Sequence, residues 1–291
     1  MNERRAIDGF GAAGLLGFAA ILSFNQVVIK LTGSGFAPVF QAGLRSALAI
    51  VLVMAWMRMR GIPLTPPPGM LKWGILSGLA FTTEFLCLYL ALDHTSVARA
   101  SLLLYSMPIW LALAGYVLLP QERLSPSRAF GMVVALAGVA LAVSDRGSGQ
   151  ASLAGDLLAI LAAMAWASIA LLARLTPLSQ LRPETQLLYQ IIVSAVLLLG
   201  LSPLFGDLVR AFRPIHLAGL AYQVVLVVCV AYLGWFWALT VYRANAVASF
   251  GFLTPVLAVL FGWAVLGEHV AASIWLALAL VLAGIYLINR R

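Results

Sequence analysis

Ten long apolar stretches, separated by short polar loops, run through this chain of 291 residues. Each stretch holds roughly 18 to 25 residues, and a helix of that length crosses a hydrocarbon layer of about 30 Å. Their approximate limits are 10–32, 37–57, 71–92, 98–118, 127–144, 154–175, 184–204, 216–240, 246–266 and 272–289. The stretches are continuously apolar, whereas the strands of a membrane barrel alternate apolar and polar residues over about ten positions. The sequence therefore predicts an all-α polytopic membrane protein with ten transmembrane helices.

The composition agrees with lipid, rather than water, as the surrounding medium. Hydrophobic residues make up 63% of the chain and charged residues only 10%, whereas soluble domains carry roughly a quarter charged residues. The net charge of +8 comes from basic residues in short loops. Nucleic-acid binders instead gather their basic residues into a stripe or patch. We therefore expect the lipid bilayer as a partner and no nucleic acid.

The distribution of Lys and Arg predicts the orientation of the chain. If the N-terminus is cytoplasmic, the inner segments hold twelve basic residues: Arg4, Arg5, Arg58, Arg60, Lys72, Arg123, Arg128, Arg174, Arg182, Arg243, Arg290 and Arg291. The outer segments then hold five: Lys30, Arg99, Arg146, Arg210 and Arg213. Cytoplasmic loops carry an excess of Lys and Arg in most membrane proteins. We therefore predict that the N- and C-termini are both cytoplasmic.

The sequence repeats itself at about half its length. The segment "ALDHTSVARASLLLYSMP", which ends at Pro108, aligns without a gap with "ALTVYRANAVASFGFLTP", which ends at Pro255. Near the start of each half, "PVFQAGLR" likewise aligns with "PETQLLYQ". The two repeats are therefore 1–146 and 147–291, with five spans each. Because five is odd, the second repeat enters the membrane upside down relative to the first, an arrangement that places binding sites at the repeat interface in secondary transporters.

A proline stands near the middle of the fourth span and another near the middle of the ninth. Proline removes one backbone hydrogen bond and clashes with the preceding turn. In lipid, the freed carbonyl must face protein or a water-filled cavity. We predict that Pro108 and Pro255 are hinge or kink positions beside one cavity, the alternative being kinks that only improve packing.

These same segments carry a family resemblance. The stretches "ALDHTSVARASLLLYSMPIW" and "QERLSPSRAFGMVVALAGVAL", with their second-half counterparts, resemble the EamA-like permeases of the drug/metabolite transporter superfamily. The resemblance implies a ten-helix monomer with a central cavity and alternating access without ATP. Within the superfamily the chain is most similar to bacterial exporters of amino acids, including aromatic ones, in the inner membrane. One departure is "LGEHV", where a histidine replaces the arginine of the first half.

Glu84 is the leading candidate for contact with a substrate. It is the only carboxylate near the centre of a span, and an ionised carboxylate there costs at least about 2–3 kcal/mol unless it faces a cavity or a partner. One interpretation is that Glu84 binds a substrate ammonium group or couples a proton. The other is a structural ion pair with Arg45, the lone cation inside the second span.

Aromatic and polar side chains in the other spans complete the predicted cavity. A largely apolar pocket with a few hydrogen-bonding groups suits amino acids with large side chains. The candidates are Asn25, Tyr89, Ser101, Tyr105, Trp166, Tyr232, Trp235 and Phe252. For each aromatic residue taken singly, packing against lipid or a helix is the alternative, and for Asn25 it is a bridge between helices.

Three functions compete at this point. The leading hypothesis is a secondary exporter of small metabolites, most of all amino acids, and the second is an exporter of cationic drugs or another metabolite. The third, a membrane-embedded enzyme, is disfavoured because every aspartate lies at a span end or in a loop. The chain has no HExxH, no Cys/His cluster and no GxxxxGK(S/T) motif. We therefore expect no catalytic residues, no metal site and no cofactor.

Overall fold

The computed structural model describes residues 8–65, 67–118, 125–145, 151–232 and 250–289, together with positions 234, 238, 241 and 242. Within these residues the protein is helical, and the one β contact is an isolated bridge between Phe36 and Val209. Eleven α-helices are numbered in chain order: α1 Gly9–Thr32, α2 Pro38–Met59, α3 Leu71–His94, α4 Val97–Leu104, α5 Met107–Leu118, α6 Pro126–Ser144, α7 Leu153–Leu175, α8 Pro183–Leu201, α9 Ile215–Ala221, α10 Leu253–Leu266 and α11 Ala272–Asn289. A π-helix, Tyr222–Tyr232, continues α9.

The predicted spans are confirmed as apolar helices. In the described part of the chain, nine helical segments are long and apolar enough to cross a membrane, with α4 and α5 together forming one of them. The ninth predicted span is represented by the shorter apolar helix Leu253–Leu266, and residues 243–249 before it lie outside the described part. Large apolar side chains such as Phe130, Val196 and Trp263 are more than half exposed on the outside of the bundle, as lipid-facing residues are.

The packing of the helices has the symmetry of an inverted repeat. Three pairs join corresponding spans of the two halves: α2 with α8, α4 with α10 and α6 with α11. The remaining major contacts occur in matching pairs. The contact of α3 with α7 corresponds to that of α1 with the π-helix, and the contact of α3 with α8 corresponds to that of α2 with the π-helix. Exchanging the two halves therefore maps each of these contacts onto another contact of the same set, although the matched contacts differ in extent.

Two close glycine contacts show that the halves are inverted. A Cβ atom at Gly11 would lie 2.5 Å from the Tyr242 ring, and one at Gly155 would lie 2.8 Å from the Thr95 Cβ atom. Thr95 and Tyr242 are 147 positions apart, the same separation as between Pro108 and Pro255. Gly11 is at the start of the first span, whereas Gly155 is at the start of the sixth, which begins five crossings later at the opposite face. The same contact is thus built once at each face.

The two central prolines interrupt their spans. Helix α4 ends at Leu104 and α5 begins at Met107, so that Pro108 is in the first turn of a new helix. Helix α10 begins at Leu253, which places Pro255 in its first turn as well. First-turn N–H groups have no partner within their own helix, so proline is tolerated there. The fourth span thus contains two short helices in place of one continuous proline-kinked helix, and in the ninth span the described helix begins two residues before its proline.

Ser106 satisfies polar groups at the break in the fourth span. Its hydroxyl donates to the Leu103 carbonyl over 2.6 Å and accepts from Trp110 Nε1 over 3.0 Å. The Leu103 carbonyl and the Trp110 indole N–H beside this break are therefore bonded inside the protein, as the absence of water within lipid requires.

Small residues bring α6 and α11 close together. A Cβ atom at Gly284 would lie 2.5 Å from both the Ala135 Cβ atom and the Gly131 carbonyl oxygen. Close backbone approach of this kind is how membrane helices gain packing energy without a hydrophobic driving force. The fifth and tenth spans are thereby held against each other.

Candidate functional site

Glu84 lies deep in the bundle and has no partner among the described residues. It is ten residues from the end of α3, which corresponds to a depth of about 15 Å at about 1.5 Å per residue. The residue is only 7% exposed. Its carboxylate makes neither a hydrogen bond nor an ion pair within 4.0 Å to any described residue. A carboxylate in such a position requires a counter-group or water, and no described residue supplies one by direct contact.

Arg45 is buried beside Glu84 without forming a direct ion pair. Its guanidinium carbon lies 3.9 Å from the centroid of the Phe85 ring and 6.0 Å from that of Phe81. The residue is 1% exposed, and none of its three guanidinium nitrogens makes a well-aligned hydrogen bond within 3.5 Å to a described residue. The Tyr89 hydroxyl nevertheless lies close enough to interact with the guanidinium. Glu84 is within electrostatic range, but no contact within 4.0 Å joins the two charges. The predicted alternative of a direct structural ion pair is therefore not the observed arrangement.

The symmetry-related position shows what Arg45 lacks. In the alignment of the two halves, Arg45 corresponds to Gln190. Gln190 donates from Nε2 to the Ser77 hydroxyl over 3.0 Å. When the alignment is extended without a gap, Ser77 corresponds to Val224, which has no side-chain acceptor. The second half thus provides a hydrogen-bond partner for its amide, whereas no described residue of the first half makes a well-aligned hydrogen bond within 3.5 Å to the Arg45 guanidinium.

Several of the predicted aromatic residues surround these two charges. The Tyr105 and Trp166 rings meet edge to face with their centroids 5.7 Å apart. The Tyr232 hydroxyl is within electrostatic range of Arg45 and Glu84, and the Tyr105 hydroxyl is within range of Glu84 and Tyr232. The structure therefore places Tyr105 and Tyr232 within electrostatic range of Glu84, and Trp166 packs against Tyr105.

Phe252 and Trp235 complete the predicted aromatic set. Phe252 precedes α10 and packs against the main core as a partly buried residue. It is 147 positions from Tyr105, so each half places an aromatic ring at the start of its short helix. Trp235 lies outside the described residues.

Tyr89 belongs to a buried amide network. Its hydroxyl donates to Gln223 Oε1 over 2.6 Å, and Gln41 Nε2 donates to the same oxygen over 3.3 Å. Gln223, which is fully buried, lies in the π-helix, so the network joins three spans. Sequence reasoning missed both glutamines, although Gln41 stands in "PVFQ", where its counterpart in "PETQ" is also a glutamine.

Asn25 and Ser101 are buried with unpaired oxygens. The Asn25 Oδ1 and Ser101 Oγ atoms have no hydrogen-bond partner among the described residues. Asn25 is on α1 and Ser101 on α4, and these helices pack together. The bridge predicted as the alternative for Asn25 is therefore not made by its carbonyl oxygen.

Glu268 caps a broken helix of the other repeat. Its carboxylate accepts from the Val97 backbone N–H over 2.7 Å and from that of Ala98 over 3.1 Å. Lys30 Nζ lies 3.3 Å from the same carboxylate and donates to the Thr95 carbonyl over 2.6 Å. Glu268 is 2% exposed. Glu268 is thus a helix cap, while Glu122, the loop glutamate 146 positions earlier in the chain, lies outside the described residues.

Arg99, counted as an outer loop charge from the sequence, is a buried structural residue. It forms a two-point ion pair with Asp156, with Nε–Oδ1 and NH2–Oδ2 distances of 3.1 and 2.6 Å. Its remaining donors reach the Asp145 carbonyl over 2.8 Å and the Ala142 carbonyl over 2.6 Å.

The loops at the predicted outer end are also joined. Arg210 binds both oxygens of Asp93 over 2.7 and 2.9 Å. These hydrogen bonds raise the pKa of the Arg210 guanidinium above its ordinary value. Ala37 N–H donates to the Leu208 carbonyl over 3.0 Å. The loop between α8 and α9 is thereby fastened to the start of α2 and the end of α3.

A cleft of about 450 Å³ opens at this end beside the Glu268 loop. Its lining residues are Leu260, Trp263, Gly267, Glu268, His269, Val270 and Trp275. Trp263 is 60% exposed, so the cleft is on the outside of α10. It contains none of the residues predicted to line the central cavity.

An all-helical bundle of two inverted five-span repeats, with buried charges left unpaired where the halves meet, defines a polytopic membrane transporter. The model of the EamA-like transporter family matches residues 9–144 and again residues 153–290. The chain therefore belongs to the EamA-like transporter family. The resemblance noted from the sequence is confirmed at this level, and it indicates transport of a small molecule, not enzymatic activity.

Individual relatives are similar over nearly the whole chain. An uncharacterized transporter of Archaeoglobus fulgidus is 29% identical over 90% of this chain and 91% of its own length. The uncharacterized transporter YoaV of Bacillus subtilis is 23% identical over 94% of each chain. A chloroplastic WAT1-related protein of Arabidopsis thaliana is 26% identical over 90% of this chain and 64% of its own length. A solved crystal structure aligns with a TM-score of 0.63 at 22% identity and 96% coverage of both chains, which supports the fold.

Proposed function

We propose that this protein exports small amphipathic metabolites, most of all amino acids including aromatic ones, as a secondary transporter. It acts by alternating access as a monomer in the bacterial inner membrane, with both termini in the cytoplasm. The observation that carries the proposal is the buried, unpaired carboxylate of Glu84 beside Tyr105, Trp166 and Tyr232. A substrate that brings an ammonium group and an apolar side chain is complementary to that environment.

An ammonium group is the partner that Glu84 lacks. Hydrogen bonds between an ammonium and a carboxylate are roughly twice as strong as those between neutral groups. The faces of Tyr105 and Trp166 attract both cations and aromatic rings. Aromatic amino acids therefore interact with both the charged groups and the aromatic rings of this site, whereas smaller amino acids interact with the charged groups alone.

The interrupted spans suggest how access alternates. Each break, before Pro108 and before Pro255, allows the two segments of a span to change their angle without breaking a continuous helix. Because the breaks occupy matching positions in inverted repeats, bending one opens the site toward one face and bending the other opens it toward the opposite face.

Export of cationic drugs is the second candidate function, since Glu84 and the aromatic rings also suit an organic cation. The two functions differ in whether a substrate carboxylate contributes to binding. A carrier for organic cations gains nothing from the carboxylate, and an amino-acid carrier loses affinity without it.

Flux of labelled substrates into liposomes that contain the purified protein tests the proposal. The panel holds aromatic, branched and small amino acids together with organic cations, each measured with and without a pH gradient. We expect uptake of aromatic amino acids and a loss of at least tenfold in Glu84→Gln. Glu184→Gln makes the same chemical change at the start of α8 and is the matched control. Transport by Glu84→Gln at the wild-type rate at every pH would remove Glu84 from the mechanism.

A further inference from the structure

We infer that Arg45 binds the carboxylate of a zwitterionic substrate whose ammonium group is held at Glu84. This inference rests on the proposed function and adds to it a recognition element for α-amino acids as a class. Its starting observation is a guanidinium that is 1% exposed and unpaired at all three nitrogens among the described residues.

The second fully buried arginine of the chain shows what is missing at Arg45. Arg99 is equally buried, and its three nitrogens reach Asp156 and two backbone carbonyls. Arginine presents five N–H donors in a planar fork that matches the two oxygens of a carboxylate. Arg99 has a carboxylate from within the protein, so the empty fork of Arg45 indicates a carboxylate that arrives with the substrate.

The Phe85 ring lies against the Arg45 guanidinium. The guanidinium carbon is 3.9 Å from the ring centroid, a cation–π contact that provides no oxygen acceptor for the N–H groups. Phe85 is the residue after Glu84 on α3. The same turn of α3 therefore carries both the Glu84 carboxylate and the ring that contacts the Arg45 guanidinium.

The two charges lie at similar depths but not in contact. Arg45 is seven residues into α2, about 10 Å from that end, and Glu84 is about 15 Å from the same end of α3, at about 1.5 Å per residue. They interact electrostatically without a contact within 4.0 Å. The ammonium and carboxylate of an α-amino acid are attached to one carbon atom, so a single molecule between the two residues pairs both charges.

Symmetry supports a role specific to this position. The equivalent residue in the second half, Gln190, is bonded to Ser77, and a general need of the fold would have placed the same pairing in both halves. The substitution Arg45→Gln places in the first half the residue that the fold already accepts at the equivalent position of the second.

Competition among three ligands that share a phenethylamine skeleton tests the inference with the full-length protein in liposomes. L-Phenylalanine carries both charged groups, whereas phenethylamine and L-phenylalaninamide keep the ammonium and lack the carboxylate. We expect wild-type protein to bind phenylalanine at least tenfold more tightly than the other two. Arg45→Gln weakens phenylalanine binding at least tenfold and leaves phenethylamine unchanged, and Arg45→Lys recovers part of the loss. Glu84→Gln weakens all three.

Exposed Arg182→Gln is the control for removal of a positive charge. Wild-type protein that binds phenethylamine as tightly as phenylalanine would overturn the role of Arg45 and leave a Glu84-dependent cation carrier standing. An equal loss for all ligands in Arg45→Gln would overturn it as well, because Arg45 would then act through Glu84 or the fold. Failure of wild-type protein to take up any of the three would refute amino-acid transport itself, and this inference with it.

Discussion

The carboxylate of Glu268, in the loop between the last two helices, accepts the backbone N–H of Val97 over 2.7 Å at the start of α4. A residue of the second repeat thereby completes the first turn of a short helix in the first repeat. Four N–H groups at a helix start lack partners within the helix, and the helix dipole favours negative charge there. The contact links the two halves at the same end where Lys30 binds Glu268 and Arg210 binds Asp93.

The Glu268 cap contributes to stability. In Glu268→Gln the amide oxygen still accepts one N–H, but the charge that interacts with the helix and with Lys30 is lost. We expect the free energy of unfolding to fall by about 1–2 kcal/mol, measured by thermal unfolding of the purified protein in detergent. Glu184→Gln should change it by less than about 0.5 kcal/mol. Equal effects of the two substitutions would mean that the cap contributes nothing.

The Arg99–Asp156 pair is a stronger structural element. Removal of one partner leaves an uncompensated buried charge, so Asp156→Asn should lower the free energy of unfolding by about 3–5 kcal/mol. The double variant Arg99→Met with Asp156→Leu should recover much of that loss, because neither charge remains. Urea or thermal unfolding of the three proteins makes the comparison. A double variant that is less stable than Asp156→Asn would contradict this account.

Trp166 should affect the choice among substrates more than the overall transport rate. Its edge-to-face contact with Tyr105 forms the aromatic side of the site, and such contacts contribute about 0.5–1.5 kcal/mol. Trp166→Leu should therefore raise KM roughly 2- to 10-fold for phenylalanine and tryptophan and change it little for alanine. Initial uptake rates in liposomes, measured over a range of substrate concentrations, give the KM and the maximal transport rate for each amino acid. A uniform rise for all three amino acids would place Trp166 in packing only.

The inverted arrangement predicts opposite accessibility for equivalent loops. Ser34 follows the first span and Ser179 follows the sixth, and both are exposed in the structure. With Cys87 and Cys229 replaced by serine, a cysteine at position 34 should react with a membrane-impermeant maleimide applied to intact cells. A cysteine at position 179 should react only after the cells are permeabilised. Reaction of both from one side would contradict the inverted repeat, and exchanged results would contradict the cytoplasmic termini.

The contact between α6 and α11 depends on the absence of a side chain at Gly284. Gly284→Val introduces atoms where the Ala135 Cβ atom and the Gly131 carbonyl oxygen already lie 2.5 Å from a Cβ position. We expect a loss of about 1–3 kcal/mol from overpacking, read from thermal unfolding. Gly17→Val is the control, since nothing lies within 4 Å of a Cβ atom there. If both variants were equally stable, the close approach would have no energetic role.

Much of the architecture followed from residue chemistry along the chain. The apolar runs predicted the spans, because backbone polar groups in lipid must bond within their own helix. The separation of Pro108 and Pro255 predicted the duplication, and the odd number of spans in each half predicted the inversion. The prolines also marked where the fourth and ninth spans are interrupted, since proline cannot donate the hydrogen bond of a helix interior.

The pairing of the polar groups followed only from the packing. Arg45 and Arg99 are both arginines in or beside apolar stretches. The sequence alone predicts Arg45 as a possible partner for Glu84, and it predicts Arg99 as an outer loop charge that helps to set the orientation. Packing places Asp156, which is 57 positions away in the chain, against Arg99. It leaves Arg45 against the Phe85 ring, with no well-aligned hydrogen bond within 3.5 Å to a described residue. A hydrogen bond depends on ångström distances between helices that are remote in sequence. Hydropathy and spacing place a charge within a span, but they carry no information on which atom of another helix it meets.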